Sequence, residues 1–148
     1  MCRPHRMTGA YGFITQTEVT QADGMAERTA AKQMIIRQKG NRKKKITVGA
    51  DKAYDTRGHV DDLRELGVTP HVASKKKGTA IDRRTTRHAS YKQSIKDRKK
   101  IEEFFGWAKV IAGFRKLRHV GLDKINFYFT LAAGVFNLVK LRNIVAQT

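Results

Sequence analysis

KITVGADKAYDTRGHVDDLRELGVTPHVA, residues 45–73, is the stretch on which the fold turns. Ile46 and Val48 mark a short strand ending at Asp51. TRGHVDDLREL (56–66) predicts a short helix with Thr56 as N-cap. Val60, Leu63 and Leu66 form its apolar stripe, and Gly67 stops it. VTPHVA (68–73) predicts a second strand, with Pro70 suggesting an edge position. Upstream, AYGFITQTEVT (10–20) has the β-branched and aromatic content of a strand, and Asp23-Gly24 marks a turn. Residues 25–38 carry apolar positions at Met25, Ala30, Met34 and Ile35 and predict a helix that ends at Lys39-Gly40, ahead of the basic loop NRKKK. The order strand, helix, strand, helix, strand favours an α/β fold with parallel pairings. Residues 74–95 show no periodicity and predict a basic loop, and two long helical patterns, 96–117 and 124–146, close the chain.

The chain has 148 residues, room for one domain or part of one, with no internal repeat and no convincing linker. Hydrophobic residues make up 40% of it, enough for a core, so the net charge of +18 coats a folded protein. Such a surface points to a polyanion, nucleic acid first and an anionic membrane second. A single cysteine, Cys2, excludes an internal disulfide and fits a reducing compartment. MCRPHRMTGAYGF has no apolar stretch of signal-peptide length. The most apolar run, 127–139, is interrupted by Thr130 and Asn137 and falls short of the roughly 20 residues of a membrane span. The expectation is a cytoplasmic protein without a membrane partner.

Asp51 is expected at the carboxyl edge of a buried strand, where α/β sheets place functional groups, although a lone Asp there is more often a cap. On one continuous helix over 96–117, Arg98, Glu102 and Lys109 share a narrow stripe. The apolar face (Ile101, Phe104, Phe105, Ala108, Ile111, Ala112) lies alongside, which puts Glu102 at the core boundary and turns Glu103 away. Ordinary helical ion pairs explain such a stripe about as well as a site does. Scarcity weighs the other way: from residue 68 onward only Asp82, Asp97, Glu102, Glu103 and Asp123 are acidic. A carboxylate among cations suits Mg²⁺ held against a phosphodiester.

GADKAYD, GVTPHVA, AIDRRTTRHASY, RKKIEEFFGWAK and FTLAAGVFNLVKL together resemble the C-terminal part of a bacterial insertion-sequence DDE transposase, over about 17–144. The resemblance implies a ribonuclease-H-like catalytic core with two long C-terminal helices. It makes Asp51 the second catalytic acid and Glu102 the third, both metal ligands. Arg98 and Lys109 would be the cations of the glutamate motif, and with Lys52 they would contact DNA phosphates. The family's Tyr three residues before that Arg is Ile95 here. Its first catalytic Asp has no counterpart, and residues 1–9 match nothing expected. The implied protein is an N-terminally truncated transposase, inactive alone. The intact enzyme would use two Mg²⁺ (or Mn²⁺) ions for hydrolysis and strand transfer at transposon ends and in target DNA, with a transposase oligomer as a further partner.

Between Lys75 and Arg118 lie 15 basic and four acidic residues, and Arg37–Lys45 adds six basic and none acidic. Six to ten phosphate contacts would give a log–log salt slope of roughly −5 to −9. Trp107 reads as core rather than a stacking platform. The five histidines and the lone Cys2-x-x-His5 show no zinc spacing. The last helix, with Ile125, Phe129, Ala132, Ala133, Phe136, Val139 and Leu141, reads as core, or as a face for a partner. Two other readings compete with catalysis: a non-catalytic DNA-binding protein that contends for transposon ends, and, last, a basic RNA-binding protein.

Overall fold

The computed structural model describes residues 2–9, 11–21, 26–41, 43, 45–114 and 121–147. The chain forms two compact units, one of residues 1–34 and 100–148, the other of residues 35–99. In chain order the elements are β1 (Cys2–Thr8), β2 (Ile14–Gln21), α1 (Ala26–Lys39), β3 (Ile46–Ala50), a 3-10 turn (Lys52–Tyr54), α2 (Arg57–Glu65), β4 (Val68–Val72), α3 (Arg83–Arg87), α4 (Ala89–Asp97), α5 (Lys100–Val110) and α6 (Leu122–Val145). The mixed α/β class follows the sequence expectation. The expected starting points Met25 and Asp23-Gly24 lie outside the described residues, as does His119.

In the second unit, β3 and β4 pair in parallel, Ile46 opposite Val68 through Ala50 opposite Val72. The crossover is α2, packed on β4. Thr56 caps it by accepting the His59 N–H, and Gly67, at φ +66°, turns the chain out of it as the sequence predicts. Val60, Leu63, Val68, Val72 and Ile81 are buried. β4 is the buried strand, while β3 is exposed or half-buried throughout, which corrects the expectation for the strand leading to Asp51. α4 lies on β3 and β4.

The first unit pairs β1 with β2 antiparallel, so part of the expected N-terminal extension 1–9 is a strand. The described strands form two separate two-stranded sheets, where the alternating pattern predicted a parallel one. α6 packs on β2, and Asn137 fixes the join, accepting the Ile14 N–H and donating to the Ile14 carbonyl, both at 2.8 Å. The core gathers Ile14, Val19, Phe104, Ala108, Ile125, Phe129, Ala132, Ala133 and Phe136. Phe104 is fully buried, edge-on to Phe129 and Phe136, and Trp107 packs beside it as expected. Leu141 is exposed rather than core, and Val139 is half-buried.

Two further expectations fail. Residues 83–97 form α3 and α4, where a loop was expected, because Asp82 caps α3 by accepting the Thr85 N–H at 2.7 Å and Tyr91 anchors α4 to β4. Neither anchor shows as hydrophobic periodicity. The single helix expected over 96–117 is divided: Arg98 and Lys99 form a turn, closed by a Lys99 N–H bond to the Lys96 carbonyl, before α5 begins. The run DRKK (97–100) has no apolar side chain to hold one continuous buried face. Of the expected helix, residues 115–117 lie outside the described residues, and Ile111 is exposed beyond the end of α5.

Candidate nucleic-acid interface

Parallel pairing sends both β3 and β4 toward the same sheet end, and the Ala73 N–H closes that end on the Ala50 carbonyl at 2.9 Å. The next residue, Asp51, leaves the sheet into the 3-10 turn. Its Oδ1 caps the turn by accepting the Lys52 N–H at 2.6 Å and also meets Arg98 Nη1 at 2.8 Å. Sequence reasoning placed both residues in one site, and the structure brings them into contact. Arg98 reaches Asp51 from the end of α4 rather than from the helix that bears Glu102. The side chains are 57% (Asp51) and 28% (Arg98) exposed, so the pair contributes no more than about 1 kcal/mol. Arg98 Nε is buried and makes no hydrogen bond among the described residues, leaving this guanidinium with an unused donor. Lys52 is exposed at the start of the turn.

Sequence reasoning missed two residues that build this end. Asp55 is 1% exposed and accepts the Lys75 N–H and the Ala80 N–H at 2.7 Å each. Burial raises its pKa, but bonds from Lys75, Thr79 and Ala80 outweigh that and hold the carboxyl below its usual range. Tyr91 donates to the Val72 carbonyl at 3.0 Å and accepts the Ser74 N–H at 3.2 Å. Beneath it, buried His71 meets Ser94 Oγ at 2.8 Å and the edge of the Tyr91 ring. Lys75, Lys76 and Lys77 are exposed above these anchors, and Arg83, Arg84 and Arg87 are exposed on α3. The arrangement offers the accessible carboxylate of Asp51 among many cations at the carboxyl ends of parallel strands.

Glu102 and Lys109 belong to the other unit, both exposed on α5. Glu102 therefore sits in solvent rather than at the core boundary. The cation that acts on it there is Arg6 of β1, also missed from sequence. Its guanidinium lies 3.2 Å over the Phe105 ring centre and donates to the Ile101 carbonyl. Burial lowers the Arg6 pKa to about 9, with the Glu102 charge opposing that shift. Glu103 pairs with Lys140 at 3.0 Å.

Among the described residues, no group of three His, Cys, Asp or Glu side chains could hold a metal ion. Asp51 already has Arg98 on it, and the Asp55 oxygens are taken up by backbone donors. These donors do not fit a resident metal. The chemistry on offer is the gripping of phosphate oxygens by Lys and Arg.

Such a sheet end defines an α/β protein suited to a polyanionic partner. The family model of the transposase DDE domain matches residues 5–138, and the chain belongs to that family. The match takes in most of β1, part of the segment that resembled nothing expected. Neither the curated proteins nor the solved structures give a match. Members of the family act in DNA transposition, have DNA as partner and generally use divalent metals. Among the described residues no helix is long and apolar enough to cross a membrane.

Proposed function

We propose that this chain binds duplex DNA at transposon ends through the β3–β4 sheet end and holds it without cleaving it, the Asp51 carboxylate being engaged by Arg98. The observation that carries this reading is the set of exposed cations at the end that carries Asp51, namely Lys52, Lys75, Lys76 and Lys77, with half-buried Arg98 paired to Asp51 itself. Lys109, exposed on α5, is in this reading a phosphate contact of its own. In this reading Asp51 and Glu102 are the positions of the family's second and third catalytic acids, the ones that would bind Mg²⁺ or Mn²⁺. The parallel β3–α2–β4 crossover supports a ribonuclease-H-like ancestry. A chain that binds ends without cutting them competes in the cytoplasm with active transposase, or joins it in an oligomer. The RNA-binding reading has no observation in its favour.

The test incubates supercoiled plasmid bearing transposon ends with the chain in Mg²⁺ or Mn²⁺. The expected result is retarded, un-nicked plasmid, with Asp51→Ala and Glu102→Ala still binding. Metal-dependent nicking lost in both variants would overturn the non-cleaving reading. Failure to retard the plasmid would overturn DNA binding.

A further inference from the structure

Asp55 is a buried charge in a place where an ordinary turn needs none. Burying a carboxylate is costly unless hydrogen bonds replace its water. Here both oxygens are engaged by the chain of one short segment: Oδ2 by the Lys75 N–H and Oδ1 by the Ala80 N–H, with the Thr79 hydroxyl also bonded. The two ends of Lys75–Ala80 are thus tied to one point, and Gly78, at φ +69°, makes the reversal between them. Lys75, Lys76 and Lys77 project from the closed segment, and all three are exposed. The Ala73–Ala50 bond and the Tyr91 bonds fix where the segment leaves the sheet, at the end that carries Asp51.

We propose that Asp55 is a positioning residue for DNA binding: it holds 75–80 closed so that Lys75, Lys76 and Lys77 present a preformed grip for consecutive backbone phosphates. The proposal rests on the DNA-binding reading and adds which segment grips and what shapes it. Three adjacent ammonium groups on an open chain would spread apart, and ordering them on the ligand would cost conformational entropy. The carboxylate beneath them lowers that cost before DNA arrives. Asn at this position keeps the size but offers one acceptor oxygen for two backbone donors on separate oxygens.

The test measures duplex affinity and its log–log salt slope for the native chain, Asp55→Asn, the triple Lys75, Lys76 and Lys77→Ala variant, and the two combined. Hydrogen exchange at the Lys75 and Ala80 amides is followed in the native chain and in Asp55→Asn. The triple variant should flatten the slope by up to about 2.7, at 0.9 per phosphate contact. Asp55→Asn should recover part of that flattening, about 1 to 2, and deprotect the two amides. In the triple background it should change the slope no further. An unchanged slope with lowered stability would make Asp55 merely structural and overturn the proposal. So would unchanged amide protection, or an equal effect of Asp55→Asn in the triple background. If the native chain binds no duplex, the DNA-binding reading fails, and the proposal with it. A triple variant with the native slope would overturn the grip alone. Should Asp55→Asn fail to fold, Thr79→Val removes one bond from the same carboxylate, and a native slope with native amide protection in that variant would count against the proposal.

Discussion

Asp51→Asn should tighten DNA binding, because it releases Arg98. The native Asp51 oxygen holds Arg98 Nη1 at 2.8 Å, so this guanidinium is held back from phosphate although its Nε is unbonded. Each new phosphate contact steepens the salt slope by about 0.9, and between 1 M and 0.1 M salt that amounts to about 8-fold in affinity, or roughly 1.2 kcal/mol. The pair itself opposes this by no more than about 1 kcal/mol, since the Asp51 side chain is 57% exposed. At 0.1 M salt the expected net gain is therefore between about 1.4- and 8-fold, with a slope steeper by about one. Fluorescence anisotropy on a labelled duplex across 50–300 mM salt measures both. Arg98→Gln alone should change affinity by less than about 2-fold, and the double variant should match Arg98→Gln. Weaker binding by Asp51→Asn would refute the reasoning. A gain that persists in the double variant would assign the effect to simple charge removal rather than to a released Arg98.

Phe104→Ala, at a fully buried ring facing Phe129 and Phe136, should cost about 3–5 kcal/mol in urea unfolding followed by Trp107 fluorescence; less than about 1 kcal/mol would mean this cluster is not the unit's core. Burial, then the His88 charge, lowers the His71 pKa, so the folded state keeps His71 neutral where the unfolded chain takes up a proton. Stability should therefore fall as pH drops below about 6.5 and stay level above it. Thermal melts from pH 5 to 8 should show that loss reduced in His71→Asn, where an unchanged profile would contradict it. Thr56→Ala removes a 3.4 Å cap bond on α2, long enough to place the loss near the low end, about 0.5–1 kcal/mol by denaturant titration, with Thr56→Ser restoring it.

The βαβ heart was legible because its signals are local: the Thr56 cap, the Val60–Leu63 stripe and the Gly67 stop each act within one helix. β1 was not, because Cys2–Thr8 becomes a strand only by pairing with β2. Residues 83–97 escaped for a similar reason, since their helices lean on Asp82 and on the Tyr91 hydroxyl rather than on an apolar stripe. Within the site, Asp51 and Arg98 were named together and do meet, although the helix drawn through Arg98, Glu102 and Lys109 is broken at residues 98–99. Asp55 gives no signal of its own in the sequence, and only its two backbone partners, 20 and 25 residues away, reveal what it holds. Tyr91 left one usable trace: it precedes Arg98 by seven residues, two helical turns along the same face.

The most direct test of DNA binding is the affinity of the native chain for a short duplex between 50 and 300 mM salt. A log–log slope between about −5 and −9 is expected from six to ten phosphate contacts. A slope near zero, or no binding at 50 mM salt, would contradict it.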